Sequence, residues 1–178
     1  RMTLKQVFAV WFTGLPASGK STLANLLAHE LHAREIQHEV LDSDSFRTLL
    51  TPEPTYDQEE RQCFYWVLAN IGELLIRNGI HVVFAGTAHR RSYRQKARML
   101  FDHFIEVYVK CSLDVCMGRD QKGVYQKAIS EEADLVPGVQ ELYEAPQQPQ
   151  ITVDTERFNS SECVEEVIQY LELNGYLI

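Results

Sequence analysis

The chain has 178 residues, 45% hydrophobic and 24% charged, with 25 acidic against 17 basic side chains and a formal net charge of −8. That length suits one domain, expected over residues 1–178, with a substantial core. The composition excludes a largely disordered chain, and the acidic total argues against nucleic-acid and polybasic membrane partners. The apolar runs at 7–12 and 82–85 fall far short of the roughly 18 residues that cross a bilayer. The first also lacks the length and cleavage site of a signal peptide, so a cytoplasmic setting is expected. Cysteines at 63, 111, 116 and 163 form no C-x-x-C pair and read as reduced thiols. A chain opening on Arg1 rather than Met reads as a fragment or a trimmed chain.

Taken in order, 6–13 reads as a strand, 18–34 as a helix, 39–42 as a strand and 59–77 as a helix. Then 81–86 reads as a strand, 92–101 as a helix, 104–111 as a strand, and a polar stretch follows to about Pro149. A short strand at 151–153 precedes a last helix, with a cap candidate at Ser160 and a stop at Gly175. The strands are near-continuously apolar, as in parallel sheets covered on both faces, which predicts an α/β three-layer sandwich. Segment 121–150 carries Gly123, Pro137, Gly138, Pro146 and Pro149 among charges and reads as a mobile flap.

The strongest local signal is Gly14-Leu15-Pro16-Ala17-Ser18-Gly19-Lys20-Ser21, which fits G-x-x-x-x-G-K-[ST] at every fixed position. It follows an apolar strand and opens a helix with Leu23, Leu26, Leu27 and Leu31 at helical spacing. Glycines let successive backbone N–H groups turn toward phosphate oxygens, and the helix N-terminus adds partial positive charge. Candidate ATP-binding residues are Gly14, Pro16, Ala17, Ser18, Gly19, Lys20, Ser21 and Thr22. Lys20 is expected at the β- and γ-phosphates and Ser21 on Mg²⁺. Asp42 and Asp44 close the second strand, where ligands of parallel sheets sit. Asp42 is expected to hold the metal through water and Asp44 to accept a hydroxyl proton, against the alternative that either caps a helix starting near Ser45. Arg119 and Lys122 join Lys20 as cations for a triphosphate. In the basic run 90–98, Arg91 and Arg94 divide between lining the site and a solvated helix face, whereas Lys96 and Arg98 read as surface. Tyr65 and Trp66 read as core or subunit interface.

The sequence resembles the adenylylsulfate (APS) kinases, which phosphorylate the 3′-hydroxyl of adenosine 5′-phosphosulfate with Mg-ATP. The matching pieces are the phosphate loop through Thr22, Leu41-Asp42-Ser43-Asp44 with Arg47, and Arg61. Farther on come 119–125 with Lys127-Ala128, then Tyr143-Glu144-Ala145-Pro146 with Pro149. The resemblance implies a P-loop NTPase fold with a five-stranded parallel sheet flanked by helices and a lid at about 119–149. It implies Mg²⁺ with ATP as co-substrate, no prosthetic group, Asp44 as base, and an acceptor nucleotide on Asp42, Arg47, Tyr56, Arg61, Phe64, Arg91 and Lys122. A homodimer, or fusion to an ATP sulfurylase-type domain, is a further implied partner state. Phe64 stands where the family has an acceptor-binding asparagine, and Val136 falls near the second adenine-stacking aromatic. Ala88-His89-Arg90-Arg91 replaces S-P-[FY]-R, and Ser43 replaces the glycine of D-G-D. These departures leave open another nucleotide or metabolite hydroxyl as acceptor, or a nucleotide-binding regulatory module of a larger sulfate-activation protein.

Overall fold

The structure, a computed structural model, describes residues 6–178. Five parallel strands, β1 (Ala9–Thr13), β2 (His38–Asp42), β3 (His81–Ala85), β4 (Phe104–Lys110) and β5 (Ile151–Asp154), lie in the order β2-β3-β1-β4-β5. β1 pairs with both β3 and β4, Ala9 standing opposite Val82 on one side and Phe104 on the other. The connection after β1 runs to one edge of the sheet and later strands continue on the other side. This opens a crevice at the carboxyl ends of the central strands, where ligands of open parallel sheets sit.

Side chains alternate across the sheet with period two, so one strand feeds two cores. Phe8, Val10 and Phe12 face α1 (Lys20–Ala33) and, later in the chain, α7 (Ser160–Leu173), packing with Leu23, Leu27, Leu31, Val167 and Leu171. Ala9 and Trp11 face the opposite layer, α3 (Gln58–Arg77) and α4 (Arg91–Arg98), with Tyr65, Leu68 and Phe84. Trp11 stacks on Phe84 at 4.6 Å and donates from its indole to Gly86 O at 3.1 Å, so its polar edge is satisfied in the core. Each face is covered, which explains why β1 and β3 are buried at every position.

Several local expectations change. The helix expected near Ser45 starts two residues earlier, as α2 (Ser43–Leu50) directly after β2, because the Asp42 carboxylate accepts from the Asp44 amide at its N-terminus. The last helix is capped by Asn159 rather than Ser160: Asn159 accepts from Glu162 N, and Glu162 returns a bond to Asn159 N, both at 2.9 Å. The stretch after β4, read as polar and irregular, contains α5 (Leu113–Arg119) and α6 (Val124–Ile129). Cys111, Cys116, Tyr125, Ala128 and Val136 give it a small core of its own. No helix among the described residues is long and apolar enough to cross a membrane.

Candidate active site

At the end of β1 the chain turns through 14–19 before α1. Gly14 is required by space, since a Cβ there would stand 2.6 Å from Val109 O and 2.7 Å from Ser18 Oγ. Ala17 (φ 62°) and Gly19 (φ 107°) take left-handed conformations, the alternation that turns successive amides into an anion-binding concavity. Tyr125 of α6 donates to Pro16 O at 2.6 Å and Thr155 Oγ1 donates to Ser18 O at 2.7 Å, so neighbouring segments fix the loop through its carbonyls and leave amides for a ligand.

Lys20 folds back on this loop, donating to Gly14 O at 3.0 Å and Leu15 O at 2.8 Å. Burial pushes its ammonium down to about 8, partly opposed by the Asp44 charge. Ser21 Oγ donates to Asp42 Oδ2 at 2.5 Å, while Asp42 Oδ1 accepts from Asp44 N at 2.9 Å. One carboxylate thus joins the first turn of α1 to the start of α2, which it caps. This hydroxyl and carboxylate are hard oxygen donors in contact, a set suited to Mg²⁺ that draws its other ligands from water and phosphate. Lys122 crosses from the segment after α5 to form an ion pair with Asp44. That pairing raises the Lys122 ammonium above its ordinary range.

These groups border one cleft of about 990 Å³ at the carboxyl edge of the sheet. Pro16, Ala17, Gly19, Lys20, Ser21 and Thr22 line one end, with Arg119. Arg119 is itself held by Thr155, donating to its carbonyl at 2.6 Å. Gly14 and Ser18 lie behind that wall. Asp42, Asp44 and Lys122 occupy the middle, and Arg47, Tyr56 and Arg61 the other end. Arg61 is anchored by donating to Leu135 O at 2.8 Å.

Two sequence-derived acceptor residues stand apart from the cleft. Phe64 is 2% exposed and belongs to the α3 core, because its position on the helix turns it toward the sheet. The Arg47 guanidinium lies over its ring at 3.8 Å while forming an ion pair with Glu60, so Phe64 is a platform under Arg47. Arg91 donates from Nε to Ala145 O at 2.8 Å, and its backbone N–H donates to Glu144 at 2.7 Å. Arg94, left open between site and surface, is buried against Glu106 at 3.1 Å and donates to Glu144 O. Both arginines therefore hold the returning segment near 144–145. Tyr65 is core as expected, yet it also borders the cleft and accepts from Ala88 N.

Cleft residues not among the candidates from the sequence include Thr87, His89 and Thr155. Thr87 and His89 follow β3 and Thr155 follows β5, so position after a strand at the ligand edge was the available signal. His89 is buried, and the surrounding apolar groups with the Arg61 charge push its imidazole down to about 4, which keeps it neutral.

The sequence profile of the adenylylsulphate kinase family matches residues 6–154. An adenylyl-sulfate kinase of Thermodesulfovibrio yellowstonii is 38% identical over 93% of this chain and 84% of that protein. A probable bifunctional SAT/APS kinase of Sorangium cellulosum is 36% identical over 96% of this chain, which spans only 29% of that protein's length. Among solved structures, the Mycobacterium tuberculosis APS kinase in complex with AMPPNP and APS superposes with a TM-score of 0.89 at 31% identity, covering 94% of this chain and 98% of that one. With the phosphate loop, the parallel sheet and a profile match that runs from before β1 to the end of β5, this chain belongs to the adenylylsulphate kinase family.

Proposed function

We propose that this chain transfers the γ-phosphoryl group of ATP to the 3′-hydroxyl of adenosine 5′-phosphosulfate, with Mg²⁺, giving the 3′-phosphorylated nucleotide and ADP. The observation that carries the proposal is the continuity of one cleft from the phosphate loop, through Asp42, Asp44 and Lys122, to Arg47, Tyr56 and Arg61. Two anionic nucleotides fit its two ends, with reactive groups meeting at the carboxylates. The similarity to a kinase solved with an ATP analogue and APS supports the same pair of ligands here.

In this reading Lys20 leaves the loop carbonyls for the triphosphate, and the loop amides and Arg119 share its charge. Ser21 and Asp42 would hold Mg²⁺, which neutralises charge on the phosphoryl oxygens when bound. The acceptor's 3′-oxygen forms the new P–O bond as the γ-phosphorus separates from the bridging oxygen of ADP. Asp44 takes the hydroxyl proton, which requires Lys122 to turn from Asp44 toward the ligands. Arg47, Arg61 and Tyr56 would bind the acceptor, Tyr56 by stacking on its base. The segment at about 119–149 is proposed as the lid, since it supplies Arg119 and Lys122 and packs Tyr125 on the loop.

An assay coupling ADP release to APS addition, with the phosphorylated product separated by chromatography, tests this. Product formation dependent on both nucleotides is expected; ATP binding without APS-dependent turnover overturns the assignment. A different hydroxyl acceptor on the same machinery is the second reading. It is favoured by Phe64 lying in the core and Val136 at the cleft wall, where stacking by an aromatic is not available. A panel of alcohol acceptors in the same assay separates the two.

A further inference from the structure

Glu60 sits in the first turn of α3, and its carboxylate ties α2 to the segment that leads into α3. Its backbone N–H donates to Asp57 Oδ1 at 2.9 Å, which fixes where the side chain starts. Oε1 pairs with the Arg47 guanidinium. Oε2 accepts from the backbone N–H of Thr55 and, at 3.3 Å, from that of Tyr56, with the Thr55 hydroxyl 3.1 Å away. The side chain is 16% exposed, and Glu60 is not among the residues that line the cleft. Burial disfavours its charge, but the Thr55 amide and hydroxyl and the Arg47 cation outweigh that and hold the carboxyl below its ordinary range.

The two residues it grips, Arg47 and Tyr56, do line the cleft, and each needs support there. Tyr56 has φ 59°, a left-handed conformation that a bulky side chain rarely adopts. Such a backbone persists only where its surroundings over-determine it, and two successive amides on one carboxylate do so. Arg47 and Arg61 bring like charges to the same ring, 5.0 Å and 5.6 Å from its centre. Burial lowers the Arg61 guanidinium below its ordinary value, and the Arg47 charge adds to that effect. With Oε1 on Arg47, the Glu60 carboxylate offsets this repulsion before any anionic ligand arrives.

We propose that Glu60 is a positioning residue for the acceptor: it presets the Tyr56 ring and the Arg47 guanidinium in one arrangement, ready for the base and an anionic group of the same nucleotide. The proposal rests on the nucleotide-kinase reading above. Side chains fixed in advance spare the ordering cost of binding, so the effect belongs in acceptor affinity. The phosphate loop is held separately, by Tyr125 and Thr155, so ATP binding is independent of Glu60.

The test is steady-state kinetics with ATP and APS on the wild-type chain, Glu60→Gln, Arg47→Met and the double variant. Glutamine keeps the shape but has a single accepting oxygen, so it cannot serve Arg47 and the two amides together. Glu60→Gln is expected to raise the APS KM about tenfold, with the ATP KM within about twofold and kcat lowered no more than about threefold. The sign decides between two roles: a carboxylate that only competed with the ligand for Arg47 would, once neutralised, lower the APS KM. In the double variant the rise is expected to fall well short of the product of the single rises, because Glu60 acts through Arg47. If Glu60→Gln does not fold, Glu60→Asp, which keeps the charge with one methylene less reach, carries the test with an expected rise of about threefold. An unchanged or lowered APS KM in a folded variant, an equal rise in the ATP KM, or a fully multiplicative double variant overturns the inference alone. Absence of APS phosphorylation by the wild-type chain overturns the functional reading and takes this inference with it.

Discussion

Lys20 links protonation to binding at a single side chain. An ammonium held down to about 8 is charged below that pH and neutral above it, and only the charged form attracts a triphosphate. ATP affinity of the free chain is therefore expected to weaken as pH rises past 8, with proton uptake on binding in that window. Titration calorimetry in buffers of different ionisation enthalpy checks this; Lys20→Met should bind weakly and lose the pH dependence. Asp44 belongs to a different step. Asp44→Asn keeps the size and hydrogen-bonding reach of the side chain but cannot accept the proton, so turnover should fall about 10²–10⁴-fold while the ATP Kd moves only a few-fold. A loss of ATP affinity as large as the loss of turnover would assign Asp44 to binding. Phe64 serves as support rather than as a cleft residue. Under the Arg47 guanidinium it holds that cation by its ring face.

At the scale of elements, several helices begin where a side-chain oxygen accepts a backbone amide of the first turn. Asp42, Asp57 and Asn159 each accept from a backbone amide at the start of α2, α3 and α7. Asn159→Ala removes both the side-chain acceptor and the reciprocal geometry of the box with Glu162. It should lower stability by about 1 kcal/mol, read as a drop of a few degrees in Tm. The returning segment shows the opposite logic. Arg91 and Arg94 spend their donors on Glu144 and Ala145, and Tyr143 shares a hydrogen bond with Thr13 at 2.9 Å. Those bonds fasten the end of the 119–149 segment to the sheet edge. A run of arginines that reads as a ligand patch along a helix is thereby used to anchor chain from fifty residues later.

The whole molecule carries a net charge of −8 around a cleft that gathers Lys20, Arg47, Arg61, Arg119, Lys122 and Lys127. Ligands that supply anions to this cluster should stabilise the fold by mass action. Mg-ATP at one hundred times its Kd is expected to add about 2.7 kcal/mol, seen as a rise in Tm that Lys20→Met reduces. The phosphate loop, the strand-end carboxylates and the alternation of strands and helices were legible in the sequence because each is contiguous: spacing, period and β1's place before the loop suffice. Strand order, the face that each α3 residue presents, and the partners of Arg91, Phe64 and His89 were not. They depend on which distant segments pack together, and a helix residue reaches the cleft or the core according to a rotation fixed only by the sheet beneath it. The amino-acid sequence by itself determined the phosphate cradle and the family, through local geometry that a few glycines, a lysine and a serine impose. Only the tertiary structure decided the Arg47–Arg61 end of the cleft, placing Phe64 beneath Arg47, because burial and pairing are properties of neighbours brought together by folding.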